Sequence, residues 1–359
     1  MYASKIGLAC TLICAFLFLG FKTLSAQQPS TTPDELSLGS IDFPTAASGE
    51  AQQEFLTGVL ALHSFWYPEA RDHFRKAQEL APGFAMAYWG EAMTHDHPIW
   101  GQHAQEEGAD ILQELDQQIN EGNVQWSERE QQYVDAIRIL YNDDLEMDER
   151  RDRYAAAMNT LYKDHPSDES LAFSSLASMT VPSYNYSNPD VDDVVPIAAK
   201  LEKLYKQNPE HPGGMHYLIH LYDNDKFAQL GLRPAHDYAS VAYSSSHAIH
   251  MPSHIYKQLE QWQKVIESNI RAWDASVEWQ KRTNRPLRDR DYHSYRWLFE
   301  AYLEIDNYQK ACAIINNMKE IKATAEADGQ DLGRIQSSLE NYQNQYSEKS
   351  AEGAPQCTE

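Results

Sequence analysis

Gly58-Val-Leu-Ala-Leu-His63-Ser-Phe-Trp-Tyr-Pro-Glu-Ala70-Arg-Asp-His-Phe74-Arg-Lys-Ala77-Gln-Glu-Leu-Ala-Pro82 is the stretch on which the fold turns. The small residues Gly58, Ala70 and Ala77 let two helices approach closely, Phe74 fills the gap between them, and Pro82 stops the second helix. Phe84 to Gly90 then begins a helix where the next unit of such an array belongs. Trp262, Val265, Ile266, Asn269 and Ala272 mark a second hairpin, with Trp262 at its turn, and Tyr295, Leu298, Tyr302, Tyr308 and Ala311 mark a third. Strand signals are nearly absent, with no Asn-Gly hairpin and no long alternating run.

This is the spacing of a tetratricopeptide repeat. The expected fold is all-α, a TPR-like α-solenoid of antiparallel helix hairpins over residues 49–340, whose first helices line a concave groove. Ser127 to Glu130 is a capping box opening a helix through Tyr141. Helices are expected over Arg150–Tyr162 and Ser170–Met179, and a proline-rich, acidic loop over 181–196 breaks the array. In that loop Tyr184 and Tyr186 can cover the groove. Residues 27–48 read as an extended leader and 341–359 as a loose polar tail.

Residues 1–26 read as a signal peptide: Lys5, an apolar run from Ile6 to Gly20, and Leu24-Ser25-Ala26 before the cut. An uncleaved anchor is the alternative, but the run is short for a bilayer and Lys22 interrupts its end. The chain is therefore expected to be periplasmic or secreted and not an integral membrane protein. With 53 acidic against 30 basic residues and a net charge of -23, it lacks the basic face that nucleic-acid binding needs. Cleavage leaves two of the four cysteines, Cys312 and Cys357, whose pairing the sequence leaves open; a cysteine-based zinc site is excluded by count.

The chemistry rests on histidine. Seven of the 14 lie between His211 and His254. In His211-Pro-Gly-Gly-Met-His216-Tyr-Leu-Ile-His220-Leu-Tyr-Asp223, helical steps of four and seven residues turn by about 40° and -20°, so His216, His220 and Asp223 share one face. Two imidazoles and a carboxylate suit a divalent transition metal with open positions left over. His211, beside the Gly213-Gly214 pair, can fold back to the same spot. In His247-Ala-Ile-His250-Met-Pro-Ser-His254-Ile-Tyr256, counting back from Trp262 puts His250 and His254 at groove-facing positions. Pro252 either starts that helix or kinks it. His293 falls at a groove position of the following hairpin. Taken singly, each is most simply a satisfied core histidine; taken together they point to a site.

The strings 211–220 and 247–256 resemble a bacterial family of exported tetratricopeptide-repeat proteins, as do Ala87–Met93, His95–Trp100 and His293-Ser294-Tyr295. The resemblance spans about residues 50–310 and implies the solenoid and a shared His-lined surface; it brings no established activity. Glu260 stands where glycine is usual before the Trp262 turn, which implies a looser turn.

The leading expectation is a groove metal centre, with copper, iron or zinc held by His216, His220, Asp223, His250 and His254, and with His211, His247 and His293 as supporting groups or acid–base catalysts. Met251 leans the metal toward copper. Such a centre makes the chain a metal-dependent enzyme or metal handler. The alternative is a non-catalytic scaffold gripping a peptide or envelope partner, and a metal-free enzyme with a histidine base is a third. The expected partner is a small-molecule or peptide ligand in the concave groove; convergence of the histidines favours chemistry, and spreading along the groove favours recognition. His95, Asp96, His97 and His103 read as a turn that can add ligands. Arg282, Arg285, Arg288 and Arg290 read as a loop paired with acids or as an anion clamp beside His293. No nucleophile elbow, phosphate loop, dinucleotide fingerprint or HExxH motif occurs.

Overall fold

The computed structural model describes residues 36–357; the expected signal peptide lies outside them. The chain forms antiparallel hairpins in sequence order. α1 (Gly49–His63) packs on α2 (Tyr67–Leu80), then α3 (Ala85–Met93), the two-residue strands β1 (Asp96–His97) and β2 (Gln102–His103), and α4 (Gln105–Asn120). α5 (Glu128–Leu140), α6 (Met147–Asp164), α7 (Asp168–Ser178), α8 (Val191–Gln207), α9 (Pro212–Tyr222) and α10 (Ala228–Val241) follow. α11 (Ser246–His250) and α12 (Pro252–Gln258) lead to α13 (Trp262–Arg282), α14 (Tyr292–Glu304), α15 (Tyr308–Ala327) and α16 (Gly333–Ala351). The all-α solenoid read from the sequence is the fold.

The close approach of the first hairpin is explicit. A Cβ at Gly58 would meet the Phe74 ring at 2.7 Å, and one at Gly90 would meet it at 2.3 Å, so one aromatic ring fills a slot that two glycines keep open. The same turn ends α1, α12, α13 and α14. Phe65, Glu260, Asn284 and Asp306 all take positive φ near 50–55°. The next residue's N–H then reaches back five residues, as in Gln261 N to Tyr256 O at 2.8 Å and Asn307 N to Tyr302 O at 2.8 Å. The turn at Glu260 is therefore as tight as a glycine turn, with a non-glycine residue bearing the left-handed strain.

Two boundaries differ from the sequence reading. The acidic loop is shorter than 181–196, because α8 starts at Val191 and accommodates Pro196 near its first turns. The tail is not loose from residue 341: α16 continues to Ala351, with Tyr342 and Tyr346 buried. Its far end is tied down by a Cys312–Cys357 disulfide. The leader is built into the structure from Ser37. Ser40 N donates to Glu210 O at 3.0 Å, Ser244 N to Ser37 O at 3.2 Å, and Phe43 packs against Phe55, Trp89 and Tyr133.

The superhelix also returns on itself. Trp279 Nε1 on α13 donates to Glu69 on α2 at 2.7 Å, Trp66 meets Trp279 edge-on, and Arg285 pairs with Asp72. The inner face is thereby walled by the first hairpin, and the histidines on it are enclosed rather than spread along an open groove.

Gly90→Ala is expected to destabilise by about 1–3 kcal/mol, because its methyl overpacks the Phe74 slot. Glu260→Gly is expected to be neutral or to stabilise by up to about 1 kcal/mol through relief at φ 55°. Urea unfolding of the two variants checks both signs.

Candidate metal centre

α9 begins with a device encoded in His211-Pro-Gly-Gly. Pro212 sits in the first turn, and Gly214 N donates to His211 Nδ1 at 3.3 Å, making His211 the helix cap. A Cβ at Gly213 would lie 2.6 Å from His63 Nδ1, so the missing side chain lets the ring of His63 lie against the helix. α9 then presents His216 and His220 one turn apart. α11 ends at His250, and α12 starts at Pro252, so Pro252 opens a helix, the first of the two arrangements anticipated. Met251 between them keeps helical dihedrals, and His247, His250 and His254 stay near one face. α14 adds His293, and its cap Asp291 accepts from Ser294 N at 3.0 Å.

Six of these imidazoles meet as two trios. In the first, His216 Nε2 lies 3.1 Å from His220 Nε2 and 3.2 Å from His247 Nε2. In the second, His250 Nε2 lies 3.1 Å from His254 Nε2, and His293 completes the group. The trios adjoin: the His247 and His250 rings are 5.8 Å apart and those of His220 and His254 5.7 Å.

The remaining hydrogen bonds fix which nitrogens carry protons. His216 Nδ1 lies 2.6 Å from the carbonyl oxygen of His63, an acceptor only, so Nδ1 holds the hydrogen and Nε2 is a bare lone pair. Asn269 Nδ2 donates to Val265 O at 2.7 Å, which turns its Oδ1 onto His250 Nδ1 at 2.6 Å. Asp223 Oδ2 accepts from His254 Nδ1 at 2.6 Å. With both rings neutral, His250 and His254 face each other with two bare lone pairs 3.1 Å apart. His293 Nε2 beside them is buried without a hydrogen-bond partner among the described residues. Two neutral acceptors cannot bond each other; a cation between them, either a metal ion or a proton carried by His254 beside Asp223, removes the conflict. Ligands about 2.0–2.1 Å from a tetrahedral or octahedral ion are about 2.8–3.4 Å apart, a range that contains the 3.1 and 3.2 Å separations here.

Burial sets the protonation. His216 is pushed down to about 3 by burial, and burial pushes His220, His247, His250 and His293 well below the usual histidine range, with neighbouring imidazoles adding to the effect. Neutral imidazole is the ligating form. The surrounding shell is aromatic: Phe65 lies 4.4 Å from His216, Trp297 4.4 Å from His254, and Trp100 5.4 Å from His247. Phe65 is a bulky residue at φ 51°, a strained conformation that aims its ring at the first trio. Tyr186 from the acidic loop bonds His220 Nδ1 at 2.7 Å, a covering role foreseen for that loop.

Three assignments from the sequence change. Asp223 caps the end of the helix that carries His216 and His220, but its carboxylate turns to His254 Nδ1 and Gln258, so it orients His254 rather than joining the first trio. His247 and His293, expected as supporting or acid–base groups, supply the third nitrogen of each trio. His211 does not fold back to His216; it and His63 both hold Glu169, at 3.1 and 2.7 Å. That third cluster is satisfied without an ion: each imidazole donates Nε2–H to the carboxylate, His211 Nδ1 accepts from Gly214 and His63 Nδ1 from Tyr217. Burial alone would raise Glu169, but His211 and His63 outweigh it and hold the carboxyl at about 2. Asp96 is taken by Arg151 and His103 and brings no ligand to the trios. Sequence reading missed Glu169, Phe65 and Trp100 and saw Asn269 only as a packing residue; their roles depend on contacts between distant hairpins.

A cleft of about 900 Å³ opens beside both trios, reached through His247 and His293. Phe65, Trp66, Trp100 and Trp279 wall it, and Arg71 and Arg290 face it. Of the basic run, Arg285 and Arg288 pair with Asp72 and Asp331, whereas Arg290 bonds only the amide oxygen of Gln280, at 2.9 and 3.1 Å.

No family model and no curated protein matches the sequence. Among solved structures the chain is similar to the TPR2AB domain of yeast Sti1 in its pHSP90 complex, at 12% identity. The match covers 82% of this chain and 98% of that one with a TM-score of 0.24. The fold assignment rests on the hairpins described above.

The depressed histidines give a signed pH dependence. Unfolded histidine takes up protons below about 6.5, whereas His216 in the fold stays neutral down to about 3. Stability of the metal-free protein is expected to be level above about pH 7 and to fall steadily as pH drops below about 6.5. Glu169, held at about 2, adds to the slope only once pH falls below its unfolded value of 4.5. Thermal melts in chelator across that range check the slope; a flat profile between about pH 5 and 7 contradicts neutral burial of the trios.

Proposed function

We propose that the chain is an exported metalloprotein holding two transition-metal ions, one in each histidine trio, with open coordination positions toward the cleft, and that it acts as a metal-dependent enzyme. The observation that carries the reading is the pair of opposed nitrogens, His250 Nε2 and His254 Nε2, 3.1 Å apart beside the unpartnered Nε2 of His293. Three imidazoles from facing helices make a set that suits zinc or copper, and neither trio brings the carboxylate usual in non-haem iron sites. Three protein ligands leave a position for water or substrate, the pattern of catalytic rather than structural zinc. Asp223, Asn269 and the His63 carbonyl hold His254, His250 and His216 in the ligating tautomer. The gathering of six histidines favours this reading over a recognition surface, on which they would be dispersed. The Cys312–Cys357 bridge suits the oxidising compartment that export would supply.

Elemental analysis tests the assignment. Protein from residue 27 onward, purified without chelator and reconstituted with copper or zinc, is expected to hold two equivalents. His216→Ala and His250→Ala are each expected to lose one equivalent, and Asp223→Asn to weaken the second centre by about 10–100-fold. Absence of metal after reconstitution of the folded protein contradicts the assignment.

A further inference from the structure

The cleft beside the trios combines two features that are separately ordinary and together select a ligand. Its wall is aromatic, from Phe65, Trp66, Trp100 and Trp279, with Trp100 5.4 Å from the His247 ring and 6.4 Å from that of His293. It also holds three arginines without a carboxylate partner among the described residues, Arg71, Arg290 and the exposed Arg334, in a chain of net charge -23. Arg71 is held by the hydroxyl and carbonyl of Thr94 at 3.1 and 3.3 Å, and Arg290 by the Gln280 amide oxygen. Both are half-buried. The acids on the same wall are already engaged: Asp289 lies against Arg285 and Arg288, and Asp291 caps α14. Neutral acceptors position a guanidinium without cancelling its charge, and the acidic remainder of the protein makes this a local positive focus.

We infer that the cleft binds a small aromatic carboxylate, its ring between the tryptophans and its carboxylate on Arg290, with Arg71 adding to the positive field. The placement puts the bound molecule against His247 and His293, one member of each trio. Its role as substrate rests on the metal reading above; its binding does not. An all-imidazole centre would favour the same sign of ligand, since none of its three protein ligands offsets the ion's charge.

Isothermal titration of the metal-free and the zinc-loaded protein with benzoate, 2-naphthoate and neutral 2-naphthamide tests the proposal. 2-Naphthoate is expected to bind both forms at least about tenfold more tightly than 2-naphthamide. Arg290→Gln is expected to remove most of that difference without changing 2-naphthamide binding, Arg290→Lys to keep part of it, and Trp100→Ala to weaken both ligands. Equal affinity for acid and amide, an unchanged Arg290→Gln protein, or no binding of either carboxylate to folded protein overturns it. Metal content measured on the same samples separates the two readings. Carboxylate binding by protein that never retains metal upholds the cleft and removes the centre, whereas metal retention without carboxylate binding removes the cleft alone.

Discussion

Three hydrogen bonds directed away from the centre govern the inner face of this solenoid. The His63 carbonyl, the Asn269 amide and the Asp223 carboxylate each take an Nδ1 hydrogen, from His216, His250 and His254, and so leave the opposite nitrogen bare wherever the ring is neutral. Burying neutral imidazoles with lone pairs opposed has an electrostatic cost that packing alone would not select. The acceptors come from α1, α13 and the end of α9, so the arrangement depends on hairpins far apart in sequence being brought into register. The Phe74 slot between two glycines, the recurrent left-handed turns and the Trp279–Glu69 closure together set that register.

The contrast with the third cluster sharpens the point. His63, Glu169 and His211 are as buried as the trios, yet every donor there has an acceptor and the carboxylate supplies the charge. It reads as a structural network that anchors α1, α7 and α9 and, through the His63 carbonyl, sets the tautomer of His216. Hydrogen-bond accounting thus separates this complete cluster from the trio of His250, His254 and His293, whose opposed nitrogens call for a proton or a metal ion between them.

Much of the architecture was legible because helical spacing is local information: Gly58, Ala70, Phe74 and Ala77 announce a hairpin within one repeat. The same locality found the histidines, since His216 and His220, or His250 and His254, are one turn apart. It could not say which nitrogens meet. Asp223 follows the face of His216 and His220 in sequence, yet it lies at the end of α9, where α12 brings His254 closer. Likewise His211 shares a motif with His216 but caps the helix and turns to Glu169. The tail was misread for a related reason: α16 is polar on most of its surface and buries only Ile335, Leu339, Tyr342 and Tyr346.

The central claim is the tautomeric state, and nitrogen-15 NMR of labelled imidazoles in the metal-free protein at neutral pH reads it directly. The account expects His216 and His250 as neutral rings protonated on Nδ1, with Nε2 shifting on addition of zinc. Protonation of either ring on Nε2, or an imidazolium at either position at neutral pH, would contradict it.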